Sequence, residues 1–192
     1  KLIEECMLLA NVAAAEYALQ HDVPMLYRIH EPPEFSRIQK VRDFVKLLGL
    51  PFPEQPTQKD YQAVIDATKD RIDAPSIHAV LLRSMMQAYY GANNAGHFGL
   101  AYEAYTHFTS PIRRYPDLLL HRAIKAKLKH KPAPLSGAAL DDAGQHFSAT
   151  ERRADEASRS VTTWLKCHYM QQHLGEEFVG TISAVAEFGL FV

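Results

Sequence analysis

The segment from Ala138 to His173 constrains the fold most, because two heptad rows run through it unbroken. Ala143, Thr150, Ala157 and Trp164 form one row; Phe147, Ala154, Val161 and His168 form the other. A seven-residue repeat sustained over this length predicts one long helix, ended by Gly175. The small residues on both rows predict close packing against a domain rather than a free coiled coil. A chain of 192 residues built around such a helix has material for one good-sized core or two small ones.

The rest of the chain is read from shorter patterns. Leu2, Cys6, Leu9, Ala13 and Tyr17 recur at helical spacing, with Glu4 and Asn11 two turns apart on another face. Val23 to His30 is a strand candidate stopped by Pro32-Pro33. Ile38, Val41, Val45 and Leu48 mark an amphipathic helix with Gly49 as its left-handed cap. Thr57 can cap a short helix carrying Tyr61, Val64, Ile65 and Thr68. A further helix is predicted from Pro75 to Tyr89, a loop over 91–96, extended chain from His97 to Tyr105, and a helix from Asp117 to Lys129. Phe178 to Val192 alternates as β structure. The class that follows is α+β, with helix dominant.

Composition excludes several alternatives. With 47% apolar and 22% charged residues the chain is not disordered, and no apolar run is long enough to span a bilayer. Two cysteines, Cys6 and Cys167, build no disulfide framework and suit a reducing compartment, so a cytoplasmic location is expected. The opening Lys-Leu-Ile-Glu-Glu is no signal peptide. It also lacks an initial Met, and the chain stops in the apolar run Phe191-Val192, so a piece of a longer polypeptide is expected.

The net charge of −1 conceals an asymmetry. Between Arg113 and Lys131 stand Arg113, Arg114, Arg122, Lys125, Lys127, Lys129 and Lys131 against the one acid Asp117, giving +6 there and −7 elsewhere. A charge run of this kind is either a solvated helix face or a phosphate track. Its start, Thr109-Ser-Pro-Ile-Arg-Arg-Tyr-Pro-Asp117, resembles a helix entrance, where free N–H groups and the macrodipole favour an anion. Two adjacent arginines there cannot both face a core. Each meets either a carboxylate, Asp117 for instance, or an external anion such as phosphate, which suits the planar guanidinium fork.

Longer motifs carry a family resemblance. His97-Phe-Gly-Leu-Ala101, Tyr105-Thr-His-Phe-Thr-Ser-Pro-Ile-Arg-Arg-Tyr-Pro-Asp117 and His121-Arg122 resemble the catalytic (RNB) domain of the ribonuclease II/ribonuclease R family. Glu4-Glu5-Cys6-Met7, Ala10-Asn11, Tyr27-Arg28-Ile29-His30, Glu151-Arg-Arg-Ala-Asp-Glu-Ala157 and Trp164-Leu-Lys166 are similar to it in the same order. The Arg-Arg-Ala-Asp-Glu-Ala and Arg-Arg-Tyr-Pro forms favour the ribonuclease R branch. Val179 to Val192 is similar to the first strands of the OB-type RNA-binding barrel that follows that domain. The resemblance therefore divides the chain into 1–174, the C-terminal part of the catalytic domain, and 175–192, the start of the barrel.

That resemblance implies processive 3′→5′ hydrolysis of RNA to nucleoside 5′-monophosphates with Mg²⁺, acting on single-stranded 3′ ends, in a monomer with no membrane role. A non-catalytic RNA-binding module is the alternative. The family's metal-binding aspartates form a loop before the Glu-Glu-x-Met helix, and no substitute is expected in this chain. The paired acids Asp141-Asp142 and Asp155-Glu156 are explained as well by the helix dipole, and no metal-ligand spacing of His or Cys occurs. Arg113 matches the arginine at the scissile phosphate, and Arg114 would hold an adjacent phosphate. Glu4 matches the acid facing the ribose of the 3′-terminal nucleotide, or else is a capping acid in the first turn of its helix. Tyr105, Ser110 and Tyr115 can bond phosphate or stack, or simply pack. Phe188 and Phe191 match barrel aromatics on which bases stack, or else belong to a core.

Overall fold

The computed structural model describes residues 1–180, 182, 184–186 and 188–192. Thr181, Ser183 and Glu187, within the stretch that resembles barrel strands, lie outside the described residues. The chain divides into two compact units, Lys1–Ala149 and Thr150–Val192, so the division falls inside the long helix, ahead of residue 175.

The first unit is built on three apolar clusters. Helix α1 (Leu2–Gln20), strand β1 (Tyr27–Ile29) and helix α5 (Tyr115–Leu128) enclose Ala14, Ala15, Ala18, Val23, Met25, Tyr27, Ile29, Leu120 and Ala123. Helices α2 (Phe35–Leu47), α3 (Gln58–Thr68) and α4 (Ala74–Ser84) enclose Val41, Val45, Tyr61, Val64, Ile77 and Leu81. Leu26, Tyr90, Leu119 and Leu140 join strand β2 (Tyr89–Gly91) and the start of helix α6 (Ala138–Met170) to the rest. Buried area of this kind contributes roughly 25 cal/mol per Å² removed from water.

Local chemistry sets the boundaries. Gly49 takes φ +74° at the end of α2; its N–H meets the Lys46 carbonyl while that of Leu50 reaches Val45, the two bonds of a Schellman cap. Thr57 and Asp60 close a capping box on α3. The pair β1–β2 is antiparallel, with Arg28 opposite Tyr90. On the other edge of β1, the Arg28 N–H donates to the Tyr105 carbonyl at 2.8 Å and the Thr106 hydroxyl donates to the Leu26 carbonyl at 2.6 Å.

Four expectations are corrected. The helix predicted to reach Tyr89 ends at Ser84, and Met85 is extended, because Tyr89–Gly91 pairs with β1 and the Tyr90 N–H is taken by the Ser148 hydroxyl. The extended reading of His97–Tyr105 fails: a 3-10 turn covers Phe98–Leu100, closed by the His97 imidazole accepting from the Leu100 N–H. The buried side of α1 is Asn11, Ala14, Ala15 and Ala18, while Leu2, Cys6, Leu9 and Ala13 are exposed. Alanines let the helix approach β1 and α5 closely, and a helix apolar all round gives no single stripe to read. Finally, α6 has the predicted length but buries only Leu140, Gly144 and Ser148, and its side chains from Arg152 to Met170 are exposed. Close packing is real where Gly144 meets β2, since a Cβ there would lie 2.9 Å from the Tyr90 carbonyl oxygen.

The second unit holds the remainder of α6, a 3-10 turn at Gln171–His173, and the antiparallel strands β3 (Ala184–Ala186) and β4 (Gly189–Phe191).

Candidate nucleic-acid interface

The entrance to α5 is a turn latched at several backbone atoms. The Arg113 and Arg114 N–H groups both donate to the Ser110 carbonyl, and Arg114 is the N-cap residue of α5 with Pro116 in the first turn. Asp117, fully buried, points its Oδ1 back to accept from the Ser110 N–H at 2.7 Å and from the Arg114 guanidinium at 2.8 Å. One turn further along α5, the His121 Nε2 donates to the Phe108 carbonyl at 2.9 Å, its ring stacked on that of Phe108. From the opposite side, Asn11 on α1 accepts the Phe108 and Thr109 N–H groups on Oδ1 at 3.0 and 3.2 Å.

The two arginines therefore do different things. Arg114 is mostly buried and paired with Asp117. Arg113 is exposed and has no ion-pair partner among the described residues. Of the two outcomes open to such a pair, Arg114 takes the internal carboxylate, and Arg113 takes no carboxylate among the described residues. Arg122, Lys125, Lys127, Lys129 and Lys131 continue the positive surface as exposed side chains.

The electrostatics beside the turn are one-sided. Burial, reinforced by the charges of Arg114, Arg28 and Arg113, depresses the His107 imidazole to about 3, and the Tyr90 hydroxyl bonds its Nδ1 at 2.8 Å. Burial and the neighbouring His30 hold His97 down to about 4. At neutral pH both rings are uncharged, so guanidinium groups carry the local positive charge. Arg28, whose guanidinium lies 4.7 Å above the Tyr90 ring, is the third of them.

Other expected residues fall in different places. Tyr105 is buried, its hydroxyl accepting from the Asn11 amide at 2.9 Å and its ring packed against those of Tyr102, His97 and His107. Of the two readings open to Tyr105, RNA contact or packing, its burial among these rings fits packing. Ser110 serves through its backbone. Tyr115 is half exposed, its hydroxyl accepting from Arg122 at 3.2 Å and its ring tilted against Phe147. Glu4 is exposed in the first turn of α1, on the helical face that also carries Asn11. Phe188 and Phe191 lie in the second unit, both exposed, ring to ring at 5.7 Å. Asn11, Arg28 and His107 are the site-forming residues that sequence reasoning missed, although the spacing of Glu4 and Asn11 was a usable signal for the first.

Among the described residues no three His, Cys, Asp or Glu side chains come together as a metal site. Among the described residues the acids therefore do not fit a Mg²⁺ site.

Comparison with known proteins places this site in a family. The RNB domain model matches residues 1–130. Ribonuclease R of Vibrio cholerae is 49% identical and that of Escherichia coli 46% identical, each over 100% of this chain and 25% of its own length. The chain thus spans about a quarter of the curated relatives it matches. Among solved structures, Mycoplasma genitalium RNase R in complex with ribose-methylated single-stranded RNA superimposes with a TM-score of 0.88, at 28% identity, over 98% of this chain and 31% of that one. Yeast Ssd1, described as a pseudonuclease, gives 0.67 at 26% identity, over 76% of this chain and 19% of that one. With the domain model covering residues 1–130, including the helix entrance and its two arginines, the chain belongs to the RNB domain family.

Proposed function

We propose that the chain is the arginine-bearing part of a processive 3′→5′ exoribonuclease that hydrolyses single-stranded RNA to nucleoside 5′-monophosphates. The observation that carries this reading is Arg113: exposed, without an ion-pair partner among the described residues, on a turn held from two helices. Its guanidinium meets the scissile phosphate and offsets the charge that grows on the phosphoryl oxygens in the transition state. Exposed Lys125 and Lys129 extend the phosphate track, and Phe188 and Phe191 offer rings to bases. The family resemblance implies Mg²⁺ for the reaction, and its carboxylates have to come from outside this chain. The protein acts as a cytoplasmic monomer.

Filter retention of single-stranded RNA by this chain tests the reading. Retention is expected to fall steeply between 50 and 200 mM salt, because each phosphate contact releases counterions, and no monophosphate is expected to appear with Mg²⁺. Salt-independent retention, or none, would remove the phosphate role. A likeness to a pseudonuclease makes RNA binding without hydrolysis the second reading. Monophosphate release by the full-length protein separates the two.

Glu4 supplies the RNA preference, its carboxylate accepting from the ribose 2′-OH. In the full-length protein Glu4→Gln is expected to cut the RNA-over-DNA rate ratio about tenfold, the loss of one charge-assisted hydrogen bond. An unchanged ratio would return Glu4 to a first-turn acid that serves the helix dipole.

A further inference from the structure

Asn11 is a buried side chain that satisfies three polar atoms at once. Its Oδ1 accepts from the N–H groups of Phe108 and Thr109, and its Nδ2 donates to the Tyr105 hydroxyl at 2.9 Å. Two N–H donors on one oxygen fix which way the amide points. These bonds join positions more than ninety residues apart in sequence. They tie the helix that carries Glu4 to the residues that lead directly into Ser110–Arg114, which Asp117 and His121 hold from the other side.

Glu4 and Asn11 share a face of α1, and Arg113 follows the latched residues within four positions. No other side chain of α1 is bonded to the 105–109 segment among the described residues. Misplacement of a reacting group by about 1 Å can cost on the order of a hundredfold in rate. We propose that Asn11 is a positioning residue that sets the distance between the Glu4 helix and the Arg113 turn, so that ribose and scissile phosphate are held by one rigid unit. The inference rests on the exonuclease reading of the site.

Two measurements test it. In this chain, Asn11→Ala is expected to speed hydrogen exchange at the Phe108 and Thr109 amides at least tenfold, whereas Asn11→Asp, whose carboxylate accepts the same two N–H groups and the Tyr105 hydroxyl proton, keeps them protected. In the full-length protein, Asn11→Ala is expected to lower kcat for RNA tenfold to a hundredfold with KM within threefold, and Asn11→Asp to recover most of it. Thr68→Val removes another buried helix hydrogen bond, Thr68 to the Val64 carbonyl, away from the turn, and is expected to leave kcat unchanged. The proposal is overturned by wild-type kcat in Asn11→Ala, by equal failure of both Asn11 variants, or by an equal loss in Thr68→Val. A wild-type protein that binds RNA but releases no monophosphate would sink the exonuclease reading first, before any variant is compared.

Discussion

Arg113→Ala in the full-length protein is expected to lower kcat for RNA hydrolysis by about 10²–10³, the loss of one preorganised group that stabilises transition-state charge. Because Arg113 is exposed and makes no ion pair among the described residues, its removal leaves no orphaned partner. Stability should therefore stay within about 0.5 kcal/mol of wild type, the usual range for such surface changes. That separation makes the experiment decisive: a rate loss with an unmoved unfolding curve is chemical. Arg113→Lys keeps the charge and loses the planar fork, so it should recover only part of the rate. KM should move little, since the exposed lysines and not Arg113 alone hold the strand. A fall in affinity with unchanged kcat would reassign Arg113 to simple phosphate binding.

The turn that presents Arg113 was partly legible in the sequence. Thr109 to Asp117 reads as a helix entrance because Pro is tolerated in the first turn of a helix and not in its interior; the structure begins α5 at Tyr115, with Pro116 in that first turn and Pro111 in the turn before it. The choice between Asp117 and an external anion could not be made for either arginine from composition, because both satisfy the same chemistry. Geometry made it: the N3 position of a helix reaches back to its own N-cap, which is Arg114, and leaves the preceding residue outside. Asn11 was legible only as a helical-face neighbour of Glu4, since nothing in a sequence shows which backbone donors lie ninety residues away.

Other choices turned on the same kind of information. Tyr105 sits beside the arginine motif in sequence, where RNA contact and packing were both open, and the strand-like chain at 105–106 turns its ring into the core. The heptad rows of α6 correctly gave a long helix, because period depends on the helix alone. They said nothing reliable about burial past Ser148, because that depends on what lies alongside. The α1 stripe failed for a related reason: with apolar residues on every side, the contact was decided by the smallness of Ala14, Ala15 and Ala18.

Asp117→Ala should be the most destabilising single change at the site, by about 3 kcal/mol. The carboxylate is fully buried and its Oδ1 holds both the Ser110 N–H and the Arg114 guanidinium. Removing it strands a buried N–H and leaves a mostly buried cation unpaired, and breaking a buried pair from one side typically costs about 3–5 kcal/mol. The lower end applies because Arg114 retains 19% side-chain exposure and can draw on water. Asp117→Asn discriminates pair from hydrogen bond. Its amide oxygen can still accept from both donors, but without charge, and its NH₂ would replace an Oδ2 that has no partner. A loss of about 1–1.5 kcal/mol is therefore expected for Asn, well short of the loss for Ala. Urea unfolding of this chain measures both. If Asp117→Ala were neutral, the Arg114 pair would not be holding the turn, and the division of labour between the two arginines would fail with it.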